Sequence, residues 1–233
     1  MDKIETFKSL GYAYDTVITP HGVPVNLIFI KHGSIALEFN NFLIYIDPVT
    51  MFGNDFSKLP KADMIFVTHE HGDHFDKKAL DELTDKETVL VTNGRVRELF
   101  GKGEVMLPGE RMEIQAENFT VTGTPAYNTT EGHLQFHPKD RKDLGFVFNI
   151  DGLRIYVAGD TEDIPEMADL KDIDVAFLPV NQPYTMTPAQ AVKATETIHP
   201  KILYPYHYGQ TDLKPITDRF KGTDIDVRVR QLQ

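Results

Sequence analysis

Thr68-His69-Glu70-His71-Gly72-Asp73-His74-Phe75 packs three of the chain's nine histidines and an aspartate into six positions. The β-branched and apolar run Met64-Ile65-Phe66-Val67-Thr68 leads into it and predicts a buried strand. Behind it, residues 77–83 have helix-forming composition, with Asp76 as the expected N-cap. The cluster therefore sits where a strand hands over to a helix. Imidazoles and a carboxylate gathered in a tight turn suit Zn²⁺, Fe or Mn²⁺. Gly72 is expected to let the backbone fold sharply between them. The metalloprotease pattern of two histidines four apart on one helical face does not apply, because Asp73 stands four positions after His69 and the segment follows a strand.

The chain has 233 residues, 41% of them hydrophobic and 25% charged, enough to build a sizeable core. A formal net charge of −11 argues against a nucleic-acid backbone or an anionic membrane as the main partner. It leaves room for a small, even anionic, substrate, because bound cations dominate the field of a metal site. With no cysteine, disulfides and thiolate metal sites are absent, which fits a reducing cytoplasm. Neither a signal-peptide pattern nor an 18-residue apolar run is present, so no membrane span is expected.

No linker divides the chain, which reads as a single domain over residues 1–233. Strands are predicted at 25–30, 34–39 and 42–46, the last two joined by a turn at Asn40-Asn41. Proline ends the third of these at Asp47-Pro48. After the histidine cluster come a strand at 88–91, a short helix over 94–100, and strands near 111–114 and 119–122. Residues 124–143 read as irregular. A second hairpin then spans 146–150 and 153–158 around Asp151-Gly152 and runs into Gly159-Asp160-Thr161. A strand at 175–178, a helix over 187–198 begun by Thr187-Pro188, and a strand at 201–204 lead to Pro205-Tyr206-His207-Tyr208-Gly209. Both halves follow one plan, a hairpin ending in aspartate and then strand and helix, which points to an internal duplication.

Taken singly, Asp160 is a turn residue and His207 a packed histidine. Their order after the 69–74 cluster resembles that of the metallo-β-lactamase superfamily. More closely, the chain resembles the small metal-dependent hydrolase branch related to ascorbate-phosphate lactonase-like proteins, and more distantly N-acyl-phosphatidylethanolamine phospholipase D. Asp47-Pro48, the 69–74 motif, Tyr127-Asn128, His137-Pro138-Lys139, residues 156–161, Met186-Thr187 and residues 205–209 carry the likeness.

The resemblance implies an α/β fold, a four-layer αβ/βα sandwich of two mixed sheets flanked by helices. It also implies two divalent metal ions, Zn²⁺ foremost with Mn²⁺ or Ni²⁺ as alternatives. His69 and His71 would bind the first metal, Asp73, His74 and His207 the second, and Asp160 both. The superfamily's usual third histidine for the first metal is missing where Asn128 stands. His137 is the favoured replacement, with His133 and Asn128 as alternatives. Asp73 is a candidate to orient the nucleophile and relay its proton, and His32 a candidate to touch substrate. Asp47 is a candidate orienter of a ligating histidine. Lys139, Arg141 and Lys142 could meet an anion or form a solvated loop, and Tyr127, Tyr184 and Tyr206 could line a pocket. The expected reaction is metal-dependent hydrolysis of a small ester, lactone or phosphodiester. An iron-dependent redox enzyme and a non-catalytic metal-binding module are the alternatives.

Overall fold

Short apolar runs punctuated by Asn, Asp, Gly and Pro give seven strands and three helices in the first half of the chain. The computed structural model describes residues 2–114 and 118–232. They fall into two units, Met1–Met106 with Leu232 and Leu107–Gln231. No helix among the described residues is long and apolar enough to cross a membrane.

The first unit runs α1 (Lys3–Ser9), β1 (Ala13–Ile18), β2 (Pro24–Lys31), β3 (Ser34–Phe39), β4 (Phe42–Ile46), β5 (Met64–Val67), α2 (Lys77–Leu83), β6 (Val89–Thr92), α3 (Gly94–Phe100) and β7 (Glu104–Val105). Its strands form one mixed sheet in sequence order. β1 to β4 pair antiparallel and β4 to β7 parallel. At the β3–β4 turn, Asn40 and Asn41 adopt φ of 49° and 64°, the left-handed pair that matches the twist of a hairpin. All four β5 residues are buried, as a central parallel strand requires. Ile4 and Phe7 of α1, Leu80 and Leu83 of α2, and Val96 of α3 belong to one core cluster with sheet residues such as Tyr45 and Val67. Asp76 caps α2 by accepting from the Lys78 N–H at 2.9 Å, and it also accepts from the Thr50 N–H at 2.8 Å. The strand-to-helix loop is thus pinned at its far end.

The second unit repeats the plan. It contains β8 (Arg111–Ile114), β9 (Phe119–Ala126), β10 (Asp143–Ile150), β11 (Leu153–Val157), β12 (Val175–Pro179), α4 (Pro188–Ile198), β13 (Ile202–Tyr206), α5 (Lys214–Phe220) and β14 (Asp226–Val227). β8 to β11 pair antiparallel and β11 to β14 parallel, so the duplication read from the sequence is a duplication of topology. The fold class is as expected, two mixed seven-stranded sheets with flanking helices.

The differences have local causes. β9 continues through Pro125 to Ala126, where an irregular segment was expected. Pro125 lies beyond Thr122, the last β9 residue paired with β8, so β9 is an edge strand there and tolerates proline. Helices α1 and α5, each seven residues long with two buried side chains, were not anticipated.

Strand direction places the candidate residues. β2, β4 and β5 run the same way, since two antiparallel steps separate β2 from β4 and β4–β5 is parallel. Their carboxyl ends therefore share one sheet edge, and His32, Asp47 and the 69–74 cluster follow those ends. By the same parity, β9, β11 and β13 run alike in the second unit. Asn128, Asp160 and His207 follow them.

Helix α4 is held at its start by a capping box, in which Thr187 accepts from the Gln190 N–H and Gln190 accepts from the Thr187 N–H. Thr187→Ala is expected to lower the unfolding free energy by about 1 kcal/mol. Urea denaturation checks this, with the midpoint falling and the slope unchanged.

Candidate metal centre

In the first unit the site is built on Asp47. This residue ends β4 with φ 47° and is fully buried. Its carboxylate accepts from the Thr68 N–H, the Thr68 hydroxyl and His74 Nδ1, each at 2.7 Å. Burial raises the Asp47 carboxyl above its ordinary value, and the His74 ring and Thr68 donors oppose that rise. The bonds fix two tautomers. A carboxylate can only accept, so His74 Nδ1 carries the proton and Nε2 is left with a lone pair. The Thr68 hydroxyl spends its single proton on Asp47, so it accepts from His69 Nδ1 at 2.9 Å. His69 Nε2 is then also a lone-pair donor.

The other candidates of this unit gather around those two nitrogens. His69 Nε2 lies 3.0 Å from His71 Nδ1, and His74 Nε2 lies 3.9 Å from Asp73 Oδ2. His32 enters from the β2 end with φ 55°, puts Nε2 3.2 Å from Asp73 Oδ2, and packs on Phe52 with ring centroids 4.4 Å apart. Donor atoms of His32, Asp73 and His74 all lie within 4.8 Å of one another. Gly33 makes room for this packing, since a Cβ there would come within 2.9 Å of His74 Cε1. Gly72, expected to be the conformational requirement, does not adopt a positive φ. A Cβ there would meet only Met51, at 3.4 Å.

In the second unit His137, Asp160 and His207 converge. All three are buried. His137 Nε2 and His207 Nε2 each lie 3.4 Å from Asp160 Oδ2. Gly159 (φ 66°) and His207 (φ 47°) turn the chain at the two strand ends. The tautomer of His137 is fixed from behind. Its Nδ1 stands 2.8 Å from Asn128 Oδ1 and 3.1 Å from the Tyr184 carbonyl, which can only accept. The Asn128 amide is held in that orientation because its Nδ2 donates to the same carbonyl at 2.9 Å. A neutral His137 therefore points a lone pair at a carboxylate oxygen. Two electron-rich atoms at that distance attract only through a shared cation, a proton or a metal ion. The donor set, imidazole nitrogens with carboxylate oxygens, suits a divalent metal of the Zn²⁺ type.

Asn128 thus orients His137, and the fold brings His137 to Asp160. His133 turns elsewhere, with Nδ1 3.4 Å from Glu162 Oε1. Lys139 pairs with Glu166 at 2.8 Å and donates to the Tyr127 hydroxyl at 3.0 Å. Arg141 pairs with Asp143. Glu162, which sequence reasoning missed, anchors the loop to His137. Its Oε2 accepts from the N–H and hydroxyl of both Thr129 and Thr130. Burial pushes this carboxyl up, but the four donors outweigh it and bring it to about 2. The Asp160-Thr161-Glu162 run was its only sequence signal.

Asp47→Asn removes the charge that holds His74 Nδ1–H while keeping side-chain size. It is expected to weaken metal binding about 10- to 100-fold, read by chelator-competition titration, with far-UV circular dichroism unchanged. Undiminished affinity would contradict the orienting role.

A family profile described as "Beta-lactamase superfamily domain" matches residues 26–207. A UPF0173 metal-dependent hydrolase of Natranaerobius thermophilus is 30% identical over 215 residues, covering 86% of this chain and 91% of its own. A Parabacteroides distasonis protein of known crystal structure is 48% identical, with a TM-score of 0.91, and covers 95% of this chain and 100% of its own. The Igni18 metallo hydrolase of Ignicoccus hospitalis shares the fold at 24% identity, TM-score 0.71, over 89% of this chain and 95% of its own. The chain belongs to the β-lactamase superfamily, as one of its UPF0173 metal-dependent hydrolases.

Proposed function

We propose that the two units act as one catalytic domain that hydrolyses a small ester, lactone or phosphodiester with the help of two divalent metal ions. Zn²⁺ fits the donors best, with Mn²⁺ or Ni²⁺ as alternatives. His69, His71 and His137 would serve one ion, Asp73, His74 and His207 the other, and Asp160 both. The observation that carries this reading is the tautomer control at His69, His74 and His137. Each has Nδ1 occupied by a fixed partner and Nε2 left as a lone pair. Metal-ligating histidines are ordinarily held in this way.

When bound, such ions would supply a water acidified towards neutrality and a Lewis acid for the substrate oxygen. The protein's own groups do the rest. Asp73, whose Oδ2 lies 3.2 Å from His32 Nε2, would orient the attacking water and accept its proton. Asp47 keeps His74 in one tautomer through the cycle, and Asn128 does the same for His137.

Asp160→Asn keeps the shape of the side chain and removes its charge. Supplied with Zn²⁺, Mn²⁺ or Ni²⁺, the variant is expected to lose about a hundredfold or more in kcat/KM on p-nitrophenyl acetate or bis(p-nitrophenyl) phosphate. Its metal content should fall while its circular dichroism stays unchanged. Full activity with both metals retained would overturn the assignment of Asp160.

A further inference from the structure

We infer that Leu232 is a positioning residue for the candidate centre, its carbonyl holding a strained turn that sets His32 against Asp73. This rests on the hydrolase reading above and adds a residue to it. β2 and β3 pair Lys31 with Ser34, so His32 and Gly33 form a two-residue turn. Its φ is positive at His32, 55°, and not at Gly33. That is the pattern of a type II′ turn, whose first place ordinarily takes glycine. The sequence therefore carries the two residues in the order opposite to the turn's preference. The site explains the inversion. A side chain at position 33 would strike His74, since a Cβ there would lie 2.9 Å from Cε1. The imidazole at position 32 reaches Asp73, with Nε2 3.2 Å from Oδ2.

Backbone strain of this kind persists only where the surroundings hold it in place. On one side of the turn the Ser34 hydroxyl donates to the Asp47 carbonyl at 2.6 Å. The His32 ring packs on Phe52, with centroids 4.4 Å apart. The His32 N–H takes no part in the bond that closes a β-turn, which runs from the fourth residue to the first. It donates instead to the Leu232 carbonyl at 3.1 Å. Leu232 comes from the far end of the chain, yet it belongs to the first unit and is fully buried. Burial of its side chain fixes the carbonyl, and the carbonyl fixes the turn.

Amide hydrogen exchange on the full chain, followed by NMR, tests the tie itself. Leu232→Ala is expected to speed exchange at the His32 amide about tenfold or more, and to change that at the Val89 amide less than about twofold. The Val89 N–H, in the same unit, donates to the Asp63 carbonyl at 3.0 Å. Leu232→Met keeps the bulk of the side chain and should exchange as the native chain does. No acceleration at His32, or equal acceleration at both amides, would overturn the inference. Function is read as a double-mutant cycle with His32→Gly, which gives the turn its usual residue and removes the ring. The substrates are p-nitrophenyl acetate and bis(p-nitrophenyl) phosphate, with divalent metal supplied. Leu232→Ala should lower kcat/KM about tenfold in the native background and less than about twofold beside His32→Gly. No loss in the native background, or the same loss in both, would overturn the inference while leaving the hydrolase reading standing. No turnover of either probe by metal-bearing native protein would overturn both.

Discussion

A metal-binding histidine almost always donates its other ring N–H to a fixed partner, and much of this molecule serves that arrangement. In the first unit a buried carboxylate, Asp47, takes the proton side of His74 and, through the Thr68 hydroxyl, sets His69. In the second, Asn128 and a backbone carbonyl do the same for His137. Leaving Asp47 charged in the interior would be costly without its three donors. Its orienting role and its own tolerance of burial are therefore one arrangement. Gly33 belongs to it as well, because the close approach of His74 to the backbone leaves no space for a side chain there.

The duplicated topology explains how such a centre arises from strand ends. Four antiparallel strands followed by three parallel ones bring alternate loops to a single edge of each sheet, and both units use that edge. Asp47 after β4 and Asp160 after β11 occupy corresponding places and do different work. The first is committed to Thr68 and His74, whereas the second faces two histidine Nε2 atoms. One structural position has thus served as an orienter in one unit and as a candidate ligand in the other.

Much of this was legible in the sequence because it is local. The 69–74 cluster, the hairpin turns at 40–41 and 151–152, the Asp76 and Thr187 caps and the strand-end Asp160 are each written in a few adjacent residues. What was not legible depends on pairings across long sequence separations. Asn128 could be taken for a ligand until its bonds to His137 and to the Tyr184 carbonyl were seen. Glu162 drew no attention in the sequence, yet four donors 32 to 33 residues away hold it. Gly72 drew attention by its place in the motif, while the steric need lies at Gly33, outside it.

The central claim is that these oriented donors hold a pair of metal ions. Elemental analysis of the full chain, purified without chelators or metal-affinity resin and then equilibrated with Zn²⁺, Mn²⁺ or Ni²⁺, tests it most directly. The account predicts about two equivalents of one of these metals per chain. A single equivalent, or none, would contradict it.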